Sequence, residues 1–229
     1  MKKFVILIPV YNPDGCLIRL ISSLIQENFS KIIIVNDGSD IKYEPIFSLI
    51  KEIDNCILLE YKTNQGKGHA LKYGIDYYLK HLSKTYQGII TTDADFQHSV
   101  KDIINIENNF KKDDKFILGV RNFQLKNIPI NRKLGNRLTS FLFYKLYHTK
   151  VADTQSGLRL FTNSSLKKCL KIAGDRFEYE MMVLINFSKE RLQIKQIPIE
   201  TIYFKVKSSK FKIIRDSYQI YKTLFQNIK

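Results

Sequence analysis

The hexapeptide DADFQH (residues 93–98) sets two carboxylates, Asp93 and Asp95, one residue apart behind the apolar run GIITT. At the end of a buried strand such a pair loses water and repels itself, which is costly unless a cation compensates. A hard divalent cation does so: Mg²⁺ or Mn²⁺ takes oxygen ligands and shares its shell between one or two carboxylates and a substrate's phosphates. Bridging a diphosphate, it would neutralise the charge that builds on a nucleotide leaving group. An isolated D-x-D is more often an acidic turn that opens a helix. The apolar strand before it, and the polar loops at neighbouring strand ends, favour the chemical reading here.

Those loops follow two further apolar runs. Tyr11 and Asn12 come after FVILIPV (residues 4–10), and Gly38 and Ser39 come after KIIIVND (residues 31–37), which ends on Asp37. In an open α/β sheet ligands bind at the carboxyl ends of the strands, so three strand ends should converge on one cleft. In NQGKG (residues 64–68), flanking glycines would let the backbone at Lys67 approach a diphosphate. The four histidines, His69, His81, His98 and His148, are dispersed and read as surface or helix-face positions rather than zinc ligands.

The elements that must position these groups are short β-branched runs alternating with helical patterns, the signature of a mostly parallel sheet flanked by helices. Strands are expected at residues 4–10, 31–37, 56–61, 88–94 and 115–120. Leu17, Leu20, Ile21, Leu24 and Ile25 recur at helical spacing, as do Ala70, Leu71, Gly74, Ile75, Tyr78, Leu79 and Leu82. At 229 residues the chain holds one substantial α/β domain, residues 1–204, followed by a basic amphipathic helix over 205–229. Its three cysteines form no C-x-x-C and suit a reducing cytoplasm.

A formal charge of +15 predicts attraction to polyanions: nucleic acid, anionic lipid or phosphorylated substrates. No nucleic-acid-binding motif accompanies it, so a nucleic-acid-binding protein is the weakest reading. The charge is concentrated: residues 121–152 hold no Asp or Glu, and neither do residues 201–215. Within the first stretch LTSFLFYKLY (residues 138–147) is apolar almost all round, either buried core or a surface for an anionic bilayer. No apolar run reaches the about 18 to 20 residues that span a bilayer, so membrane contact should be peripheral.

Taken together and in order, IPVYN, VNDGS, NQGKGHALKYG, DADFQH, GVR, NRKLGNR, DTQSGLRLF, FEYEMM and QIPIETIYF resemble the family 2 glycosyltransferases, in particular their dolichol-phosphate mannosyltransferase-like branch. The resemblance covers nearly the whole chain. It implies a GT-A fold, a Rossmann-like nucleotide-diphospho-sugar transferase architecture, and inverting transfer of a hexose from a UDP- or GDP-sugar to a polyprenyl phosphate. It further implies that Pro9, Tyr11, Asn12 and Asp37 line the nucleoside pocket, that Asp93 and Ala94 contact the nucleotide with Lys67 nearby, and that Asp95 and Gln97 hold the metal. Arg121, Arg132 and Asn136 would hold the acceptor phosphate, and Asp153 would be a base or the orienter of an arginine. Asn36-Asp37 stands where the family often has two acids, and Asn136 where relatives often have Ser.

A phosphate acceptor suits this set, because a phosphate monoester with a second pKa near ~6 needs no general base at neutral pH. A saccharide hydroxyl acceptor, in surface-polysaccharide or teichoic acid assembly, would need one. Many members of the branch carry transmembrane helices after the catalytic domain. Their absence up to Lys229 implies a peripheral enzyme at the cytoplasmic face of a membrane, held by its amphipathic elements or by a separate membrane protein.

Overall fold

A computed structural model describes residues 2–123, 130–200 and 213–228; of residues 130–132 and 213–217 it describes the backbone alone. The first strand, β1 (Phe4–Val10), lies between β2 (Ile32–Asp37) and β4 (Gly88–Thr91), and β3 (Cys56–Tyr61) pairs outside β2, all in parallel. Beyond β4 come β6 (Arg159–Thr162), β5 (Phe116–Arg121) and β7 (Ile194–Ile199), giving the order β3-β2-β1-β4-β6-β5-β7. Strand β6 runs antiparallel to both neighbours, whereas β7 is parallel to β5. The sheet is therefore mostly parallel, as the alternating pattern predicts, with one reversed strand inside it.

Alternation along the buried strands sends side chains to two cores. Phe4, Ile6 and Ile8 join Ile32 and Ile34 on one face, under α1 (Cys16–Gln26), α2 (Glu44–Lys51) and α4 (Val100–Asn108). Val5 and Leu7 join Ile33 and Val35 on the other, under α3 (Lys67–His81), α5 (Ile130–Tyr147), α6 (Asn163–Cys169), α7 (Glu178–Lys189) and α8 (Ile213–Gln226). Such two-sided burial is why these strands read as continuous apolar runs. Helix α4 has a capping box in which Ser99 and Asp102 satisfy each other's backbone amides.

Two strands escape the sequence pattern. β6 is four residues long and begins on a charged residue, while β7 alternates Ile with Lys and Gln and carries Pro198, tolerable because it is an edge strand. β4 stops at Thr91, three residues short of the expected strand, so residues 92–98 are free to turn.

Helix α8 packs on α5 and α7, with Ile220 and Leu224 buried in the second core and the Tyr147 hydroxyl donating to the Leu224 carbonyl at 2.6 Å. The expected boundary at residue 204 and the basic segment after it lie in residues 201–212, outside the described residues. Because Leu224 is fully buried, Leu224→Ala should lower stability by about 2–4 kcal/mol in urea unfolding. A helix that is a mere appendage would lose less than about 0.5 kcal/mol.

Candidate functional site

The carboxyl ends of β1, β2, β4 and β5 carry the polar groups, and each buried carboxylate there is balanced differently. Asp37, 3% exposed, ends β2. Its carboxylate accepts from the Tyr61 hydroxyl (2.8 Å), the Asn64 amide Nδ2 (2.9 Å), the Gln65 backbone N–H (2.7 Å) and the Gly66 backbone N–H (2.9 Å). Four donors occupy the roughly four lone-pair sites of a carboxylate. Burial and the bond to Asp37 together push the Tyr61 phenol well above its usual range.

Asp37 is thus the knot that folds the NQGKG loop. The loop needs Gly66, whose φ of +111° is left-handed and where an added Cβ would lie 2.4 Å from the Asp175 carbonyl oxygen. Tyr11 and Asn12 stay at the rim. Asn12, at φ +50°, donates its backbone N–H to the Ser39 hydroxyl (2.8 Å), and its side chain exchanges hydrogen bonds with Asp40. Pro9 pairs with Val35 just below.

At the end of β4, Asp93 is held from two sides. Lys67 Nζ, on the first turn of α3, lies 2.7 Å from Asp93 Oδ1 and 2.7 Å from Glu180 Oε2 of α7. His98 Nε2 lies 3.7 Å from Asp93 Oδ2, and the ring is almost fully buried with no hydrogen-bond partner at Nδ1. Burial alone would raise the Asp93 pKa, but Lys67, with His98 behind it, holds it well below the usual carboxylate range. Burial likewise works against the Lys67 ammonium, and the two carboxylates outweigh it, keeping the lysine charged. Glu180 also lies beside Arg159 of β6, a fully buried guanidinium that donates to the Ser156 and Glu180 carbonyls.

Lys67 thus bridges the carboxylates of Asp93 and Glu180. His98 is not a surface residue. Glu180 and Arg159 were missed as site residues, although a charge inside FEYEMMVLIN and another inside GLRLF were the signal to look for. Gly157 packs against this cluster so closely that an added Cβ would meet Asp93 Oδ2 at 2.6 Å.

Asp95 is the remaining carboxylate. It accepts the Gln97 backbone N–H at 3.1 Å, and burial, then the charge of Asp93, raise its pKa. Between them Phe96 sits at φ +60°, a conformation uncommon for a side-chain-bearing residue and concentrated at functional sites. A half-buried carboxylate under like-charge pressure, two residues before the Gln97 whose backbone N–H it accepts, fits a divalent cation that completes its shell from substrate phosphates. Among the described residues no cluster of three or more His, Cys, Asp and Glu forms a self-contained metal site.

At the end of β5, Arg121 donates from Nε to Asp153 Oδ2 (2.6 Å) and from Nη2 to Asp153 Oδ1 (2.9 Å), a bidentate pair with the carboxylate fully buried. The Arg121 and Gln155 backbone N–H groups also point to Asp153. Asn136 of α5, 2% exposed, donates Nδ2 to the Ala152 carbonyl (2.8 Å) and leaves its Oδ1 without a partner. Asn136 thereby anchors α5 to the loop before Asp153. Arg132 lies on the first turn of α5, its side chain outside the described residues.

Residues 5–170 match the family described as Glycosyl transferase family 2. The chain is 31% identical to an uncharacterised protein of Methanocaldococcus jannaschii over 97% of its own length and 91% of that protein's. It is 30% identical to the UDP-N-acetylglucosamine–dolichyl-phosphate N-acetylglucosaminyltransferase of Methanococcus voltae, over 88% of this chain and 86% of the relative. Its fold matches glucosyl-3-phosphoglycerate synthase of Mycobacterium tuberculosis, solved with Mn²⁺, UDP and phosphoglyceric acid, with a TM-score of 0.71 at 13% identity, over 99% and 78% of the two chains.

The Lys67 cluster makes a stability prediction. Lys67→Met strands two buried carboxylates and should cost about 3–5 kcal/mol in urea unfolding, part of it recovered in Lys67→Met/Glu180→Gln. A lysine that served only a nucleotide would leave the apoprotein's stability nearly unchanged.

Proposed function

The chain belongs to glycosyl transferase family 2 and is a glycosyltransferase of GT-A fold; from that membership we propose that it moves a hexose from a nucleotide sugar to a polyprenyl phosphate, with inversion at the anomeric carbon. A phosphate oxygen attacks C1 from the face opposite the nucleoside diphosphate, the C1–O bond to the diphosphate breaks, and a β-linked lipid-phospho-sugar results. The UDP donor and dolichyl phosphate acceptor in the name of the M. voltae relative support UDP over GDP and a lipid phosphate over a free sugar.

The observation that carries this reading is the Arg121–Asp153 pair. Asp153 would be the candidate base for an acceptor hydroxyl, yet both its oxygens accept from Arg121 and from backbone amides. An acid used to orient an arginine suits an acceptor that is already an anion, since a planar guanidinium can meet phosphate oxygens while a phosphate dianion needs no base. Arg121, with Arg132 from α5, would hold that phosphate. Pro9, Tyr11 and Asn12 would border the nucleoside, and Asp37 would act by holding the loop beneath it.

Asp95 and Gln97 would hold Mg²⁺ or Mn²⁺, which when bound neutralises charge on the leaving diphosphate. Asp93, fixed by Lys67 and His98, would fix the position of Asp95 next to it. With a membrane lipid as acceptor the enzyme would work at a membrane surface, and a nucleotide-sugar donor suits the cytoplasmic face. Among the described residues no helix is long and apolar enough to cross one.

Purified protein given radiolabelled UDP- and GDP-sugars, Mg²⁺ or Mn²⁺ and polyprenyl phosphate should carry label into the organic phase from a UDP-sugar. Label that appears only on a saccharide acceptor would refute the lipid reading. Asp95→Ala should lower kcat at least about a hundredfold with an unchanged unfolding midpoint; near-native turnover in metal-replete buffer would remove the metal assignment. Asp153→Asn should raise the acceptor KM about tenfold and leave the acid limb of the pH–rate profile in place. If Asp153 were the base, that limb would vanish and kcat would fall by about 10²–10⁴.

A further inference from the structure

The two edges of the sheet differ. β7, at one edge, carries Lys195 and Pro198, a charge and a missing N–H of the kind that keep an edge strand from pairing with another chain. β3, at the other, reads CILLEY: it holds no Pro, Gly or Lys, and among the described residues no strand pairs outside it. Its Cys56, Ile57, Leu58, Leu59 and Tyr61 are half-buried, whereas every residue of β2 beside it is buried. Tyr73 of α3, 43% exposed, stands beside the same edge with its ring centroid 5.6 Å from that of Tyr61. β3 thus offers a row of backbone donors and acceptors between apolar side chains, a template for a further strand.

Charge decides whose strand that is. The protein as a whole is +15, but residues 44–62, which form α2 and β3, hold four acids (Glu44, Glu52, Asp54 and Glu60) against two lysines (Lys51 and Lys62). A second copy approaching here escapes the repulsion it would meet over most of the surface. A two-fold axis normal to the sheet sets the two copies of β3 antiparallel and keeps each face of the sheet on its own side. Residues directly opposite must then share a face, so each pairs with itself or with one an even number of places away. With Leu58 on the axis, Ile57 opposes Leu59, Cys56 opposes Glu60 and Asp54 opposes Lys62. Both members of that last pair are exposed, and the symmetry forms it twice. Moving the axis to Ile57 sets Asp54 against Glu60, and moving it to Leu59 leaves Asp54 facing no charge.

We propose that this chain forms a two-fold dimer through β3, joining the two sheets into one, with Leu58 against its own copy on the axis and Asp54 of each chain against Lys62 of the other. The surface runs along the edge of the sheet rather than at its strand ends, and the proposal holds whichever sugar or acceptor the enzyme uses.

Sedimentation equilibrium of the full chain tests it, and the wild type should dimerise. Lys62→Glu sets like charges at both ends of the ladder and should raise the dimer Kd at least about tenfold. The double variant Asp54→Lys/Lys62→Glu restores the pairing and should return the Kd to within about twofold of the wild type. Both positions are exposed, so folding is not at stake. In a Cys56→Ser background, Leu58→Cys should crosslink under mild oxidant into a covalent dimer, since Cβ atoms of directly opposed residues lie about 4.5–5.5 Å apart. Ile57→Cys should not, because its own copy is a diagonal neighbour at about 7–8 Å.

A wild type that stays monomeric at the highest concentration reached overturns the proposal. So does a dimer whose Kd is indifferent to Lys62→Glu, which places the contact elsewhere, or one that Ile57→Cys crosslinks and Leu58→Cys does not, which sets another register.

Discussion

Burying an ionised carboxylate costs several kcal/mol unless donors or opposite charge replace the water it loses, and four aspartates at the strand ends of this sheet each meet that cost in a different way. Asp37 is satisfied by a ring of hydroxyl, amide and backbone N–H donors, Asp93 by a lysine and a neighbouring histidine, and Asp153 by a bidentate arginine. Each of these compensations also folds something: the β3–α3 loop, the junction of α3 with α7, and the approach of α5 to β5. Asp95 alone is left with a single backbone donor and a raised pKa. The same electrostatic requirement that stabilises the other three is met least at Asp95, which is why the proposed cation is assigned there.

The antiparallel strand β6 is what lets this arrangement close. It inserts between β4 and β5, so the chain crosses back over the end of β4 just before entering it, bringing Asp153 to Arg121 and Gly157 against Asp93. Arg159 then reaches Glu180 from within the sheet, and Glu180 reaches Lys67. The part of the fold made of β1 to β4 and the part made of β5 to α8 are thereby joined by a chain of ion pairs as well as by apolar packing. Such a chain holds one geometry, because a partly satisfied network in low dielectric is worse than none.

Helix α5 has one buried face and one exposed face. The buried face of α5 shares a core with α7 and α8, and its outward face carries Leu134, Leu138, Phe141 and Tyr144. The run at 138–147, which composition leaves open between core and surface, is both, because an 18-residue helix presents alternate sides to each.

Local pattern determined much on its own: the α/β class, the strands β1 to β5, the faces of α1 and α3, the strand-end location of the polar groups, and the ordered motifs by which the chain resembles its family. These are properties of local pattern, since two-sided burial makes a strand apolar throughout and a 3.6-residue period marks a helix face. What only the tertiary structure decided is which partner each polar residue has. That Asp37 turns inward to its own loop, that Lys67 bridges Asp93 and Glu180, that Asp153 grips Arg121, and that Asn136 spends its donor on Ala152 all depend on contacts between residues 16 to 113 positions apart. Strands β6 and β7 stayed hidden for the same reason: a four-residue strand with a buried arginine, and an edge strand with a proline, are made by their neighbours and not by their own sequence.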